Sequence, residues 1–396
     1  MQPGQSTPRD VVVVGAGPAG LCAALALAAR GLRVDVVERQ SRAALEAPAF
    51  DGREIALTHA STRILRELDV LQRIADADIG PLRRARVLDG DHPGFEVDAG
   101  GGAAHLGVLV SNHCIRAAAW QAVGDSDAIA VHDAAAVEAV ATDAGSARVV
   151  LVDGRELRAP LLVVADSRFS ETRRALGVPV AMHDFGKTML VSRVRHAEAN
   201  DGVAWEWFDQ GQTRAFLPLE KHLASAVLTV TGAEARRLLA LSPRAYADEL
   251  AARFEGRFGT MEPASSVHSY PLVATWAKRF AGPRFALVGD AAVGMHPVTA
   301  HGFNLGLGSV ERLATAVGEA MASHGDPGHP AALRDYERRH RRASLPLFAG
   351  TGLVVRLFTD DRAPMRPLRR AVLRGMRALP PLRRLLAAQL MDASAR

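Results

Sequence analysis

Val11-Val12-Val13-Val14 is an unbroken β-branched run, which predicts a strand buried on both faces rather than one alternating between core and solvent. The alanine- and leucine-rich stretch Leu21 to Arg30 predicts a helix after it, and Leu32 to Val37 a second strand. Leu161 to Ala165 and Arg284 to Val288 are short apolar runs that predict further buried strands. A different pattern begins at Val203: Val203-Ala204-Trp205-Glu206-Trp207 alternates, which puts Trp205 and Trp207 on one face of a strand. Ala215 to Leu219, containing Phe216, and Ser225 to Val230 read as neighbouring strands of the same sheet. Trp205, Trp207 and Phe216 are candidates to line an aromatic substrate cavity; burial against helices accounts for the tryptophans equally well. The chain is therefore expected to be α/β, with a parallel sheet and a separate, inserted β-sheet region.

The loop between the first strand and helix carries the first candidate chemistry. In Gly15-Ala16-Gly17-Pro18-Ala19-Gly20, Gly15 permits the turn, Gly17 lets the backbone approach a pyrophosphate, and Gly20 allows close helix–strand packing. The helix N-terminus offers unpaired N–H groups and a positive dipole to that anion. Glu38, followed by Arg39, ends the second strand about twenty residues beyond the glycines, where a carboxylate accepts hydrogen bonds from ribose hydroxyls. An ordinary glycine turn is the competing reading, and Glu38 in register weakens it. Far along the chain, Gly289-Asp290-Ala291-Ala292 follows another strand and leads to Gly302-Phe303-Asn304-Leu305-Gly306, which opens a helix. Asp290 is placed either to hold a ribityl hydroxyl or to cap a turn, and the amides after it to face a flavin pyrimidine.

The segment from Gly289 to Leu313 resembles the flavin-binding motif of the group A aromatic hydroxylases, which share the para-hydroxybenzoate hydroxylase fold. Asp290 takes the ribityl position, Pro297 the proline beside the isoalloxazine, and Gly302, Phe303 and Asn304 the loop at the pyrimidine. Asp166-Ser167-Arg168-Phe169-Ser170-Glu171-Thr172-Arg173 resembles a third motif of that family, with Ser167 where the family has glycine. Within the fold the chain is similar to the ubiquinone-biosynthesis hydroxylases: Asp51-Gly52-Arg53 resembles a segment whose arginine lies near the flavin, and Val110-Ser111-Asn112 a helix start. The resemblance implies a Rossmann-like FAD-binding domain of the GR2 type over 1–75, 105–178 and 278–340. It also implies an inserted β-sheet substrate domain over 76–104 and 179–277, and a C-terminal helical segment over 341–396.

It further implies an enzyme with FAD as cofactor, NADPH or NADH as electron donor, and O2 as oxidant, in which a flavin C4a-hydroperoxide hydroxylates the ring of a polyprenyl phenol or quinol. The segment Met295 to Phe303 is similar to a branch associated with C5 and broader ring hydroxylation. FAD binding falls to Gly15, Gly17, Ala19, Gly20, Glu38, Arg39, Arg53, Asn112, Asp166, Asp290, Gly302, Phe303 and Asn304; Pro297 and His301 face the reacting atoms. For His301 a packing or capping role competes. Two other functions compete: hydroxylation or reduction of a different small molecule, and a low-activity flavin-binding scaffold of a quinone-biosynthesis complex.

Composition narrows the setting. The chain has 396 residues, 48% hydrophobic, enough for two domains. Cys22 and Cys114, far apart, support neither a disulfide framework nor a thiolate metal site, and no metal is expected. Val11 to Ala29 is uncharged, but its glycines and Pro18 break it as a membrane span. The net charge of +5 concentrates late in the chain, where Arg366, Arg369, Arg370, Arg374, Arg377 and Arg383 accompany Leu368, Val372, Leu373 and Met376 without an acidic residue. This suits a helix at an anionic membrane surface; with the lack of a disulfide framework pointing to a reducing cytoplasm, a cytoplasmic protein peripheral to the inner face of the membrane is expected. A solvated basic face or a subunit contact is the alternative; nucleic acid is not expected, because no binding module accompanies the charge. Neutralising Arg369, Arg370 and Arg374 together is expected to abolish sedimentation with anionic liposomes, and undiminished sedimentation would assign them to the alternative.

Overall fold

The computed structural model describes residues 9–90, 92–99, 105–209, 211–296 and 301–359, with residues 371, 372, 374 and 375. Pro297 and most of the basic stretch 362–384 lie outside the described residues. The first layer is a six-stranded sheet centred on β1 (Val11–Val14), which lies between β2 (Val34–Val37) and β12 (Leu161–Val164). Beyond β2 comes β8 (Ile129–His132); beyond β12 come β20 (Phe285–Leu287) and β19 (Ala281–Gly282). All but β19 run parallel. β1 and β12 are buried throughout, as continuous apolar runs require in a sheet covered on both faces.

α1 (Pro18–Ala28) packs on this sheet beside α4 (Asn112–Gly124) and α8 (Gly302–His324). It starts at Pro18 rather than Leu21 because proline presets the φ of a first helical turn. Cys22, fully buried within it, has its thiol pushed up to about 12 by burial and is a core residue. β9 (Val137–Thr142), β10 (Ala147–Leu151) and β11 (Glu156–Ala159) form a small antiparallel sheet whose Ala147, Val149 and Leu151 join the same core.

The second layer is a larger sheet. It runs β21 (Val293–Gly294), β18 (His268–Ala277), β13 (Val180–His196), β16 (Leu223–Thr231), β15 (Gln212–Glu220), β14 (Val203–Asp209), β5 (Arg84–Asp89), β6 (His92–Asp98), with β17 (Met261–Pro263) also on β13. One face carries α6 (Gly232–Leu239) and α7 (Pro243–Arg253), whose N-caps Thr231 and Ser242 accept from the backbone N–H of Glu234 and Ala245.

Between the layers lies a third antiparallel sheet of β3 (Glu54–Leu57), β7 (Gly107–Ser111) and β4 (Ile79–Leu82). β4 belongs to the 76–104 segment expected in the substrate domain, yet it pairs with β7, where Ile79 packs against the first core. The remaining helices are α2 (Arg42–Glu46), α3 (His59–Glu67), α5 (Glu171–Ala175) and α9 (Pro330–Thr359). The boundary expected at 340/341 falls inside α9, which stays continuous because Tyr336, Leu347 and Phe348 on both sides of it pack on the first core. Among the described residues no helix is long and apolar enough to cross a membrane.

Candidate active site

Gly15, Glu38, Asp166 and Gly289-Asp290 sit just beyond the carboxyl ends of β1, β2, β12 and β20, four parallel strands of one sheet. That end of a doubly wound sheet is where a dinucleotide binds. Gly15 has φ +105°, and a Cβ there would lie 2.7 Å from the Ala165 carbonyl oxygen. A Cβ on Gly20 would lie 1.9 Å from the Gly15 oxygen, whereas one on Gly17 would meet nothing within 4 Å. Two glycines are thus required by packing, and the third leaves space beside an α1 N-terminus that no side chain caps. Glu38 Oε2 accepts from the Ala16 N–H at 2.7 Å and Oε1 from the Gln40 N–H at 2.9 Å, so its carboxylate is held beside the glycine turn. Ala19 meets the second glycine segment: a Cβ on Gly289, at φ +58°, would lie 2.9 Å from the Ala19 Cβ. Arg39 is exposed at the rim.

Two arginines join the distant loops. Arg168 holds Asp290 Oδ2 through Nη2 at 2.8 Å and Nε at 3.2 Å, and donates from Nη1 to the Val273 carbonyl. Buried Arg173 donates to the carbonyls of Ala291 (2.9 Å) and Arg168 (3.1 Å). Burial lowers the Arg173 pKa below its ordinary value, against the raising influence of Asp166. Asp166 Oδ2 accepts from the Thr172 N–H, while Oδ1 is buried without a hydrogen-bond partner among the described residues. That orphaned oxygen, the open flank of Gly17 and the positioned Glu38 fit a bound dinucleotide. Ser167 takes φ +156°, on the side of the backbone map that glycine occupies freely.

A second cluster surrounds Arg53. Its Nη2 lies 2.5 Å from Asp51 Oδ2, which also accepts from Asn112 Nδ2 at 2.8 Å. Arg53 lies over the Tyr270 ring at 5.7 Å, and the Tyr270 hydroxyl donates to the Asp51 carbonyl. Burial would raise the Asp51 carboxyl, but hydrogen bonds and charge from Arg53 outweigh it and keep the group below its ordinary value. At the start of α8, Asn304 accepts from the Thr58 N–H at 3.1 Å and donates to the Ala56 carbonyl at 2.8 Å, tying Gly302 and Phe303 to the end of β3. His301 is buried at the N-cap of α8, where its side chain makes no capping bond. Five residues earlier in the sequence, His296 is pushed down to about 4 by burial and by the Arg168 charge. His296 helps line a mostly apolar cavity of about 80 Å³ with Phe185, Met295, Ala274 and Phe348.

Trp205, Trp207 and Phe216 face α6 and α7, in the core with Leu250, Phe254 and Phe258. Arg257 lies over both tryptophan rings, at 5.1 and 4.9 Å, with Arg86 over Trp205 and Arg214 over Trp207. The packing alternative therefore accounts for these three side chains. The alternation that turns them to the helices turns Glu206 to the other face, where burial pushes its carboxyl up to about 8. Arg168, Asp51, Tyr270 and Glu206 were not singled out from sequence; for Glu206 the signal was its place between the two tryptophans.

Glycine-turn, acidic strand end and second GD loop on one parallel sheet define a dinucleotide-binding α/β fold with a β-sheet roof. A family model described as FAD binding domain matches residues 9–345, and the chain belongs to that family of FAD-dependent monooxygenases, which use NAD(P)H and O2. It is 46% identical over 387 residues to ubiquinone hydroxylase UbiM of Neisseria meningitidis, covering 96% of this chain and 84% of that one. It is 35% identical over 380 residues to ubiquinone hydroxylase UbiL of Rhodospirillum rubrum, covering 95% and 88%. In fold it is similar to p-nitrophenol 4-monooxygenase PnpA of Pseudomonas putida, with a TM-score of 0.78 at 20% identity over 99% of this chain and 100% of that one.

Two stability predictions follow from these geometries. Ser167→Gly is expected to stabilise the protein by about 1 kcal/mol by relieving the backbone, read as a raised Tm. Glu206 keeps its proton in the folded chain up to about pH 8, whereas the unfolded chain releases it near pH 4. The unfolded state binds fewer protons in between, so this group makes stability fall as pH rises across that window. Tm measured against pH should fall less steeply for Glu206→Gln than for the wild type.

Proposed function

We propose that this protein hydroxylates the aromatic ring of a polyprenyl phenol or quinol in ubiquinone biosynthesis, at C5 or at several ring positions. The observation that carries the reading is the 46% identity to a ubiquinone hydroxylase over nearly the whole chain, on a fold whose strand-end motifs are all present.

In this reading the α1 N-terminus and Gly17 bind the FAD pyrophosphate, Glu38 the adenosine ribose, and Asp290 the ribityl chain. Arg168 orients Asp290 for that contact. The α8 N-terminus, with Gly302, Phe303 and Asn304, directs backbone N–H groups and a helix dipole toward the flavin pyrimidine, where negative charge accumulates on reduction. When bound, FAD supplies the electron-transfer and oxygen chemistry. The remaining task of the chain is to hold the substrate ring in a dry space. The apolar cavity beside His296 fits an apolar part of such a substrate. The family resemblance gives Pro297 and His301 the role of facing the reacting ring. Association with the membrane surface through the C-terminal arginines would let the protein collect a lipid-soluble substrate.

Expression in bacteria lacking each ubiquinone ring hydroxylase in turn, with mass spectrometry of the quinone pool, tests the assignment. Restored ubiquinone is the expected outcome, and the rescued strain identifies the ring carbon. Unchanged precursor pools alongside soluble, FAD-loaded protein would transfer the assignment to another small molecule or to a scaffold role.

A further inference from the structure

The two faces of the large sheet are unlike. Toward α6 and α7, Trp207, Phe216, Ala226, Leu228 and Leu190 are sealed from solvent. On the other face, cross-strand pairing sets Glu206, Ala215, Val227 and Val191 in one row, with Phe208, Thr213, Thr229 and Met189 beside it. This second face looks toward the dinucleotide layer. Arg193 on it reaches Glu54 of β3 at 2.9 Å, and Tyr270, paired with Met189, bonds to Asp51. Ala204, Glu206, Leu217 and Val227 are only half-buried although they occupy central strands between two layers, so an open space lies against them. Leu357 of α9 meets Phe208 at one end of that space.

Glu206 is the anomaly on this face. Its strand neighbours are Val87 on one side and Ala215 on the other. Among the described residues its carboxyl has no hydrogen-bond or ion-pair partner. Protein surrounds it, yet part of its surface opens to the space between the layers. An unpaired carboxyl in an apolar row costs stability, and such groups persist where a ligand supplies the partner.

We propose that Glu206 orients the substrate, its carboxyl hydrogen-bonding a ring hydroxyl of the phenol or quinol in the space between the sheet and the dinucleotide layer. The inference rests on the phenol-hydroxylating function proposed above. A carboxyl can donate to and accept from a hydroxyl, and the flanking Ala215, Val227 and Leu217 suit the faces of a ring. A site built to hydrogen-bond a substrate hydroxyl discriminates against an analogue lacking its donor, because the buried partner is then left unpaired.

The test compares the FAD-loaded full chain with Glu206→Leu and Glu206→Gln, using farnesylphenol and its methyl ether as probes. Kd is read from perturbation of the flavin spectrum, and hydroxylation from product formed per NADPH consumed. Wild type is expected to prefer the phenol over the ether by about 10- to 100-fold. Glu206→Leu should lose most of that preference while its Tm rises, and Glu206→Gln should keep an intermediate preference. A rise in Tm with loss of preference is a signature that a purely structural role would not produce. If wild type hydroxylates farnesylphenol but Glu206→Leu discriminates equally well, the inference fails and the proposed function stands. If wild type neither binds nor hydroxylates it, both fail.

Discussion

Two guanidinium groups hold the dinucleotide end of this protein together. Arg168 pairs with Asp290, and Arg173 spans the Ala291 and Arg168 carbonyls, so the loop after β12 and the loop after β20 behave as one piece. The chain between them forms most of the large sheet, and Arg168 also bonds to Val273 on β18. One side chain thereby contacts both layers. Buried Arg173 donates to these carbonyl oxygens, with the Asp166 charge acting on it as well, and the arrangement is costly to disturb because a buried charge would lose those dipoles.

The close approach of Gly15, Gly20 and Gly289 depends on the same frame. The Gly289 backbone lies against Ala19 of α1, and Gly306 of α8 lies against Gly289 in turn. These contacts bring the N-termini of α1 and α8, separated by most of the chain, to one end of the parallel sheet. Asn304 fixes the second helix start to β3 through two backbone hydrogen bonds. In the function proposed above, these two helix starts are the independent elements, in a fixed relation, that would meet the anionic and flavin ends of the cofactor.

The large sheet divides its work by face. Its helix-covered side is a packed aromatic core, in which Phe216 stacks on Phe258 at 3.9 Å and Arg257 covers both tryptophans. Its other side is more open, carries Glu206, whose carboxyl has no partner among the described residues, and looks onto the dinucleotide layer. Tight packing is concentrated on the helix-covered face, and the substrate role proposed above falls to the other.

Much of this was legible in the sequence for local reasons. Val11–Val14, the glycine turn and Glu38 announce themselves because buried strands, positive φ and acidic strand ends each restrict residue type at close range. The alternation of Trp205 and Trp207 likewise established that they share a face. Which face met the helices was not determined, since a period of two is symmetric about the strand and only the packing of α6 and α7 breaks that symmetry. The pairing of β4 with β7 depended on distant partners in the same way. The union of Arg168 with Asp290 and the burial of Glu206 with no partner among the described residues are also products of tertiary structure, because a charged group carries no local signature of what will surround it.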